Sequence, residues 1–265
     1  MVIHYDISET AGFINWPYFF HAWGLTGKPE AEKENLKAEA LDMLDTWNGR
    51  YRTHAVLVVE EANSVGDDII VDGNRIPFLR QQTPSVEGGP NLCLADFIRP
   101  LEKGIPDKLG IFATTVDSAA VSSCTDDCYC SMMAQTLADR LAEATAELLH
   151  MQVRREIWGY TPDESITVGD MLVGRYQGIR PAVGYPSIPD TGINFLIDSI
   201  VGMRQIGIRL TESGMMIPHA SVSGFMFAHP ESRYFDIGRI GTDQLADYAR
   251  RRGLPVSTMK KFLES

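Results

Sequence analysis

Three prolines and a glycine fall within ten residues in the run Arg180-Pro-Ala-Val-Gly-Tyr-Pro-Ser-Ile-Pro189. Proline lacks the backbone N–H, so such a run can neither continue a helix nor sit inside a central strand. Each proline fixes its own φ and pushes the preceding residue toward an extended conformation. The segment is expected to be a stiff, extended loop with free backbone polar groups, Arg180 at its head and Tyr185 in its middle. A guanidinium is a planar fork for a carboxylate, and a phenol ring is a surface to stack on. Two readings follow from these residues: a rigid connector packed on a core, or a holder for a small charged, aromatic ligand.

The rest of the chain alternates between two hydrophobic periods. Residues 30–48 carry Leu36, Ala40, Met43, Leu44 and Trp47 at helical spacing, and Asn48-Gly49 ends the run. The longest predicted helix covers about 129–157, with Met133, Leu137, Leu141, Ala144, Leu148 and Met151 as its core stripe. Further helices are expected at 193–206, 242–252 and 256–264. Thr242 caps the second of these and Gly253 terminates it. Strands are predicted at 54–59, 68–71, 109–114, 208–217, 221–228 and 233–240. Long helices among neighbouring antiparallel strands predict an α+β fold, a single domain over 1–265 with no repeat or linker.

The chain has 265 residues, enough for a substantial core, and a net charge of −11 without a long basic run. Nucleic acid is therefore not expected as a partner. No apolar run is long enough to span a membrane, and the first residues lack the basic-then-apolar pattern of a secretory signal. A cytoplasmic location is the expectation. Cys124, Cys128 and Cys130 cluster without a CxxC or a zinc spacing, so reduced thiols there, a buried thiol at Cys93 and no metal site are expected.

Several chemistries have no motif. Gly-rich dinucleotide and phosphate loops and a Gly-x-Ser-x-Gly elbow are missing from the sequence. Glu147-x-x-His150 is half of a di-iron pattern whose second half is absent, so it reads as a solvated helix face. Asp139, Glu143, Glu147 and His150 share that face, opposite the apolar stripe. No catalytic residue is assigned.

Ten colinear blocks resemble one known family. They are Asn15-Trp-Pro-Tyr-Phe-Phe20 with Leu25-Thr-Gly-Lys28, Ala62-Asn-Ser-Val-Gly-Asp-Asp68, Leu79-Arg-Gln-Gln82, Cys93-Leu-Ala-Asp-Phe97, Leu137-Ala-Asp-Arg-Leu-Ala-Glu-Ala144, Trp158-Gly-Tyr160, Gly178-Ile-Arg-Pro-Ala-Val-Gly-Tyr-Pro186, Ala220-Ser-Val-Ser-Gly224, His229-Pro-Glu-Ser-Arg-Tyr234 and Asp247-Tyr-Ala-Arg-Arg-Arg-Gly253. Together they resemble the reactivation domain of cobalamin-dependent methionine synthase, a methyltransferase of methionine biosynthesis. The resemblance implies that Arg180 grips the carboxylate of S-adenosylmethionine, that the backbone at Ala182 meets its adenine, and that Tyr185 and Tyr234 line the site. It also implies that Lys28, Asp139 and Glu143 face a partner chain carrying cobalamin, with Asp139 and Lys28 helping to capture the histidine that leaves the cobalt. Base-off cobalamin binding needs an Asp-x-His-x-x-Gly run, which this sequence lacks, so cobalamin is expected on the partner.

The implied function is that of a stand-alone reactivation subunit. When the partner's Co(I) is oxidised to Co(II), the domain docks over the corrin and presents S-adenosylmethionine. An electron from a flavodoxin or ferredoxin-type reductant then permits methyl transfer. The protein supplies position and electrostatics, and the cofactor supplies the nucleophile. Arg180→Ala is expected to abolish ligand binding without unfolding the chain. Three positions depart from the family pattern: Asn15 replaces an aspartate that receives the ligand's ammonium, Gly174 replaces an acidic residue, and Asp190-Thr-Gly-Ile-Asn194 lacks a histidine and a charged pair. A second reading follows from them, in which the chain clamps a corrinoid protein in its base-off conformation without binding S-adenosylmethionine.

Overall fold

The computed structural model describes residues 1–84, 88–124 and 127–264. In chain order the elements are β1 (Val2–Asp6), α1 (Ile7–Ala11), α2 (Trp16–Ala22), α3 (Glu30–Trp47), β2 (Arg52–Val65), β3 (Asp68–Val71), β4 (Asn74–Pro77), β5 (Asp107–Val116), α4 (Ser118–Val121), α5 (Cys128–Gln152), α6 (Val168–Leu172), α7 (Ile193–Val201), β6 (Arg209–Leu210), β7 (Met216–Ile217), β8 (Ser221–Met226), α8 (Thr242–Arg252) and α9 (Val256–Leu263). The fold is the predicted α+β type, a curled antiparallel sheet with helices on both faces.

The main sheet runs β4-β3-β2-β5-β8. The long strand β2 organises it. Its first residues pair with β1, its last with β3, and nearly its whole other edge with β5. Side chains alternate between faces along a strand, and two cores result. Ala55, Leu57, Phe112 and Met226 point at α1, α3 and α5. Val56, Ile111, Ala113 and Phe225 point at α7, α8 and α9. Helix α5 lies across the first face with Leu137, Leu141 and Leu149 fully buried. Each such leucine contributes about 2 kcal/mol.

Several boundaries differ from the expectations. The predicted strand 54–59 extends through Arg52–Val65, because both its edges are paired. The helix expected over 193–206 stops at Val201, where Gly202 turns left-handed at φ 67°, and a single tight turn follows. The strand expected at 208–217 is a two-residue hairpin pair, β6 with β7. No strand forms at 233–240. That segment instead bonds the proline-rich loop, Ile237 N–H to Pro186 and the Ser187 hydroxyl to the Phe235 carbonyl.

The cysteine expectation is half right. Cys93 is buried as expected, and burial, with the nearby Asp67 charge, pushes its thiol up to about 12. Cys124 and Cys130, expected to be reduced, form a disulfide that ties the start of α5 to the preceding turn, and Cys128 is exposed and free.

Candidate functional site

The proline-rich loop is less detached than its sequence suggests. Residues 179–183 run antiparallel to β8 and its extension, with bridges from Ile179 to Phe227 and from Ala182 to Gly224. Phe225 N–H donates to the Pro181 carbonyl and Val183 N–H to the Ser223 carbonyl. The expected free backbone therefore survives only in part. Ala182 sits between those two bonds in a non-hydrogen-bonded pair, so its own N–H and C=O point away from β8, and the C=O accepts from the Tyr185 N–H at 3.4 Å.

Between this loop and α5 lies a cavity of about 1010 Å³. Drug-sized ligands occupy pockets of roughly 300–1,000 Å³. Asn15, Glu143, Arg180, Ala182, Tyr185 and Tyr234, all singled out from sequence, line it together. Lys28 and Asp139 do not line it. Lys28 is exposed, and among the described residues no ion pair joins it to Asp139, which is 3.4 Å from His219 Nδ1 instead.

Arg180 is held in place from two sides. Its Nη2 donates to Glu147 Oε2 at 2.8 Å, and its backbone N–H donates to the Tyr234 hydroxyl at 2.9 Å. Burial pulls the guanidinium pKa down, but the Glu147 carboxylate, with Tyr176 and Tyr234, more than offsets it, so the net shift is upward. Arg180 Nε and Glu147 Oε1 are both buried without a hydrogen-bond partner. Both residues line the cavity, and a guanidinium paired with a carboxylate there suits a zwitterion, one for its carboxylate and the other for its ammonium.

Asn15 is the N-cap of α2, yet its side chain makes no cap hydrogen bond and lies at the cavity wall. Tyr185 donates its hydroxyl to Glu143 Oε1 at 2.7 Å, while half of the residue remains exposed. Burial and Glu143 both raise that phenol's pKa. Tyr234 is likewise half exposed.

Glu147 and His150 overturn the solvated-face expectation. Glu147 is buried, and His150 is fully buried. His150 sits behind Arg180, with Nε2 3.1 Å from the Tyr160 hydroxyl and its ring edge-on to Tyr176. Tyr176 also stacks under Arg154, whose guanidinium carbon is 4.1 Å from the ring centre, and Arg154 is tied to Glu164. The sequence signal for this burial was the apolar Ala146, Leu148 and Leu149 on either side of both residues.

Burial, with Arg180 and Arg154 adding to it, lowers the His150 pKa well below 6.5. The folded protein therefore keeps His150 neutral where the unfolded chain takes up a proton. Stability is expected to fall as the pH drops below about 6.5. His150→Gln should remove about 1–2 kcal/mol of the loss between pH 7.5 and 5. Urea unfolding of both proteins at the two pH values measures it, and equal slopes would refute it.

Fold and cavity together define the class: an α+β domain with a cavity between a proline-rich loop and the longest helix. The chain belongs to the family described as vitamin B12 dependent methionine synthase, activation domain, whose sequence profile matches residues 6–253. A solved structure titled "Crystal Structure of the MetH Reactivation Domain bound to AdoHcy" is similar along the whole chain. It is 37% identical, with a TM-score of 0.92, and the match covers 100% of this chain and 89% of that one. Among the described residues no helix is long and apolar enough to cross a membrane.

Proposed function

We propose that this protein binds S-adenosylmethionine in the cavity between α5 and the proline-rich loop, and presents its methyl group to cobalamin held by a separate methionine synthase chain. The observation that carries this reading is the convergence of Arg180, Ala182, Tyr185, Tyr234 and Asn15 on one cavity, in a chain similar to a domain solved with AdoHcy. The Arg180 guanidinium takes the ligand's carboxylate. The Glu147 carboxylate and the Asn15 amide oxygen accept from its ammonium. The Ala182 backbone meets the adenine, and the Tyr185 and Tyr234 rings face the sulfonium. Glu143, held by Tyr185, lies at the cavity edge and meets the partner, as do Asp139 and Lys28 outside it.

The partner's cobalamin, given one electron by a flavodoxin or ferredoxin-type protein, would supply the nucleophile for the methyl group, with S-adenosylhomocysteine as the leaving group. This chain's residues orient the sulfonium and exclude water around it.

Calorimetric titration of the purified chain with S-adenosylmethionine and S-adenosylhomocysteine tests the reading. Saturable binding of both is expected. Asn15→Asp restores a charged acceptor for the ammonium and is expected to tighten binding about 5- to 10-fold, since a charged hydrogen bond is worth roughly 1 kcal/mol more than a neutral one. Absence of binding in both proteins would favour a clamp that holds a corrinoid partner without the ligand.

A further inference from the structure

A second cluster of chemistry-bearing side chains lies on β1 and β2, and the methyl-transfer reading makes no use of it. His4 and His54 are directly opposite each other in the antiparallel register. Their Nδ1 atoms are 2.7 Å apart. The outer nitrogen of His54, Nε2, is 2.9 Å from Asp117 Oδ1. The other oxygen of that carboxylate accepts from the Arg52 backbone N–H at 2.8 Å, which fixes its orientation. A pocket of about 240 Å³ opens beside the pair, bounded also by Ser118, Gln205, Gly207 and Pro218.

The tautomer follows from the contacts. Asp117 is an acceptor only, so His54 must carry its proton on Nε2, and its Nδ1 presents a lone pair. His4 faces that lone pair through its own Nδ1. The two nitrogens face each other along a hydrogen bond; with both rings turned, a cation beside the line between them can replace the proton. A carboxylate on the far N–H is the arrangement that orients histidines ligating metals and raises their basicity.

We propose that His4 and His54 form a binding site for a divalent transition-metal ion of the kind that imidazoles favour, such as nickel, copper or zinc. Two imidazole nitrogens about 2.1 Å from one ion, at a right angle, stand about 3.0 Å apart. The nitrogens need to separate by a few tenths of an ångström, and each ring to turn by about 45° so that both lone pairs meet beside the line between them. Among the described residues no group of three or more histidine, cysteine, aspartate or glutamate side chains converges on a metal position. The site therefore supplies two protein ligands, and the adjacent pocket leaves room for water to complete the coordination. The ion would pin β1, which meets the sheet only through β2, to its neighbour. The sequence expectation of no metal rested on the cysteine spacing and the lone Glu-x-x-His, and did not weigh these two histidines, which stand 50 residues apart in the chain.

Titration of the whole chain with nickel chloride tests the proposal, alongside His4→Gln, His54→Gln, Asp117→Asn and, as a control at an exposed histidine, His21→Gln. One ion per chain is expected. Affinity should fall at least 10-fold in both site-histidine variants and 10- to 100-fold in Asp117→Asn, and stay within 2-fold in the control. Nickel should also raise the unfolding midpoint of the wild type and not of His4→Gln, whose exposed position on an edge strand leaves folding intact. If the wild type takes up no nickel, or His4→Gln binds it as tightly as the wild type, the pair only shares a proton and the proposal is wrong.

Discussion

Arg180→Ala is expected to lose at least 100-fold in affinity for S-adenosylmethionine and about 3 kcal/mol of stability, because the change strands a buried carboxylate. Sequence alone led to the expectation of lost binding without unfolding. The 2.8 Å pair with Glu147 alters that, since Glu147 is buried and the Arg180 side chain is only 10% exposed. Removing both charges separates the two effects. Arg180→Met combined with Glu147→Met fills similar volume without leaving an unpaired ion, and is expected to recover most of the stability and none of the binding. Thermal unfolding and calorimetric titration of the single and double variants give both readouts. Tight ligand binding by either variant would remove Arg180 from the site. A single variant as stable as the wild type would show that Glu147 finds another partner.

The second large effect is expected far from any charge. A Cβ on Gly224 would lie 2.2 Å from the Pro181 carbonyl oxygen and 2.9 Å from the Ala182 Cα. Both are backbone atoms, which cannot swing aside as a flexible side chain can. Gly224→Ala must therefore lift residues 181–182 off β8. That breaks the bonds from Phe225 and Val183 and displaces Arg180 and Ala182 together. About 3 kcal/mol of stability should be lost, along with essentially all ligand binding. Gly241→Ala is the comparison, because its Cβ would meet only the Asp243 side chain, whose Oδ1 at 2.6 Å can turn away. If Gly224→Ala binds ligand normally, the loop is not positioned by its contact with β8.

The sequence was most legible where one residue type admits few conformations. The prolines at 181, 186 and 189 set the loop, and the apolar repeat from Met133 to Leu148 set α5. The resemblance of the colinear blocks carried Asn15, Arg180, Ala182, Tyr185 and Tyr234 to one place, and the fold brings them to one cavity. Long-range pairing was not legible. β1 is a strand only because β2 lies beside it, and the 233–240 segment, apolar enough to read as a strand, spends its backbone on the proline-rich loop instead. Glu147 and His150 were misread for a related reason. Helical periodicity ranks positions by one face, but α5 is covered on two, by the sheet and by the loop with Tyr176. A charge on the second covered face looks like a surface charge until its partner is known. That partner, Arg180, is 33 residues away.

The pairing at Ala182 also bears on how this chain keeps to itself. A strand added beside β8 offers its outer side to any extended peptide that can reach it, and exposed outer strands are where sheets recruit other molecules and aggregate. Here the carbonyl of Ala182 already accepts from the Tyr185 N–H at 3.4 Å, and the residue is 8% exposed, packed in the core with α5. An added strand needs a row of open amides and carbonyls, and this edge does not present one. Under the proposed reading a flat heterocycle needs far fewer, so the wall that shelters the sheet from its neighbours also selects what is bound there.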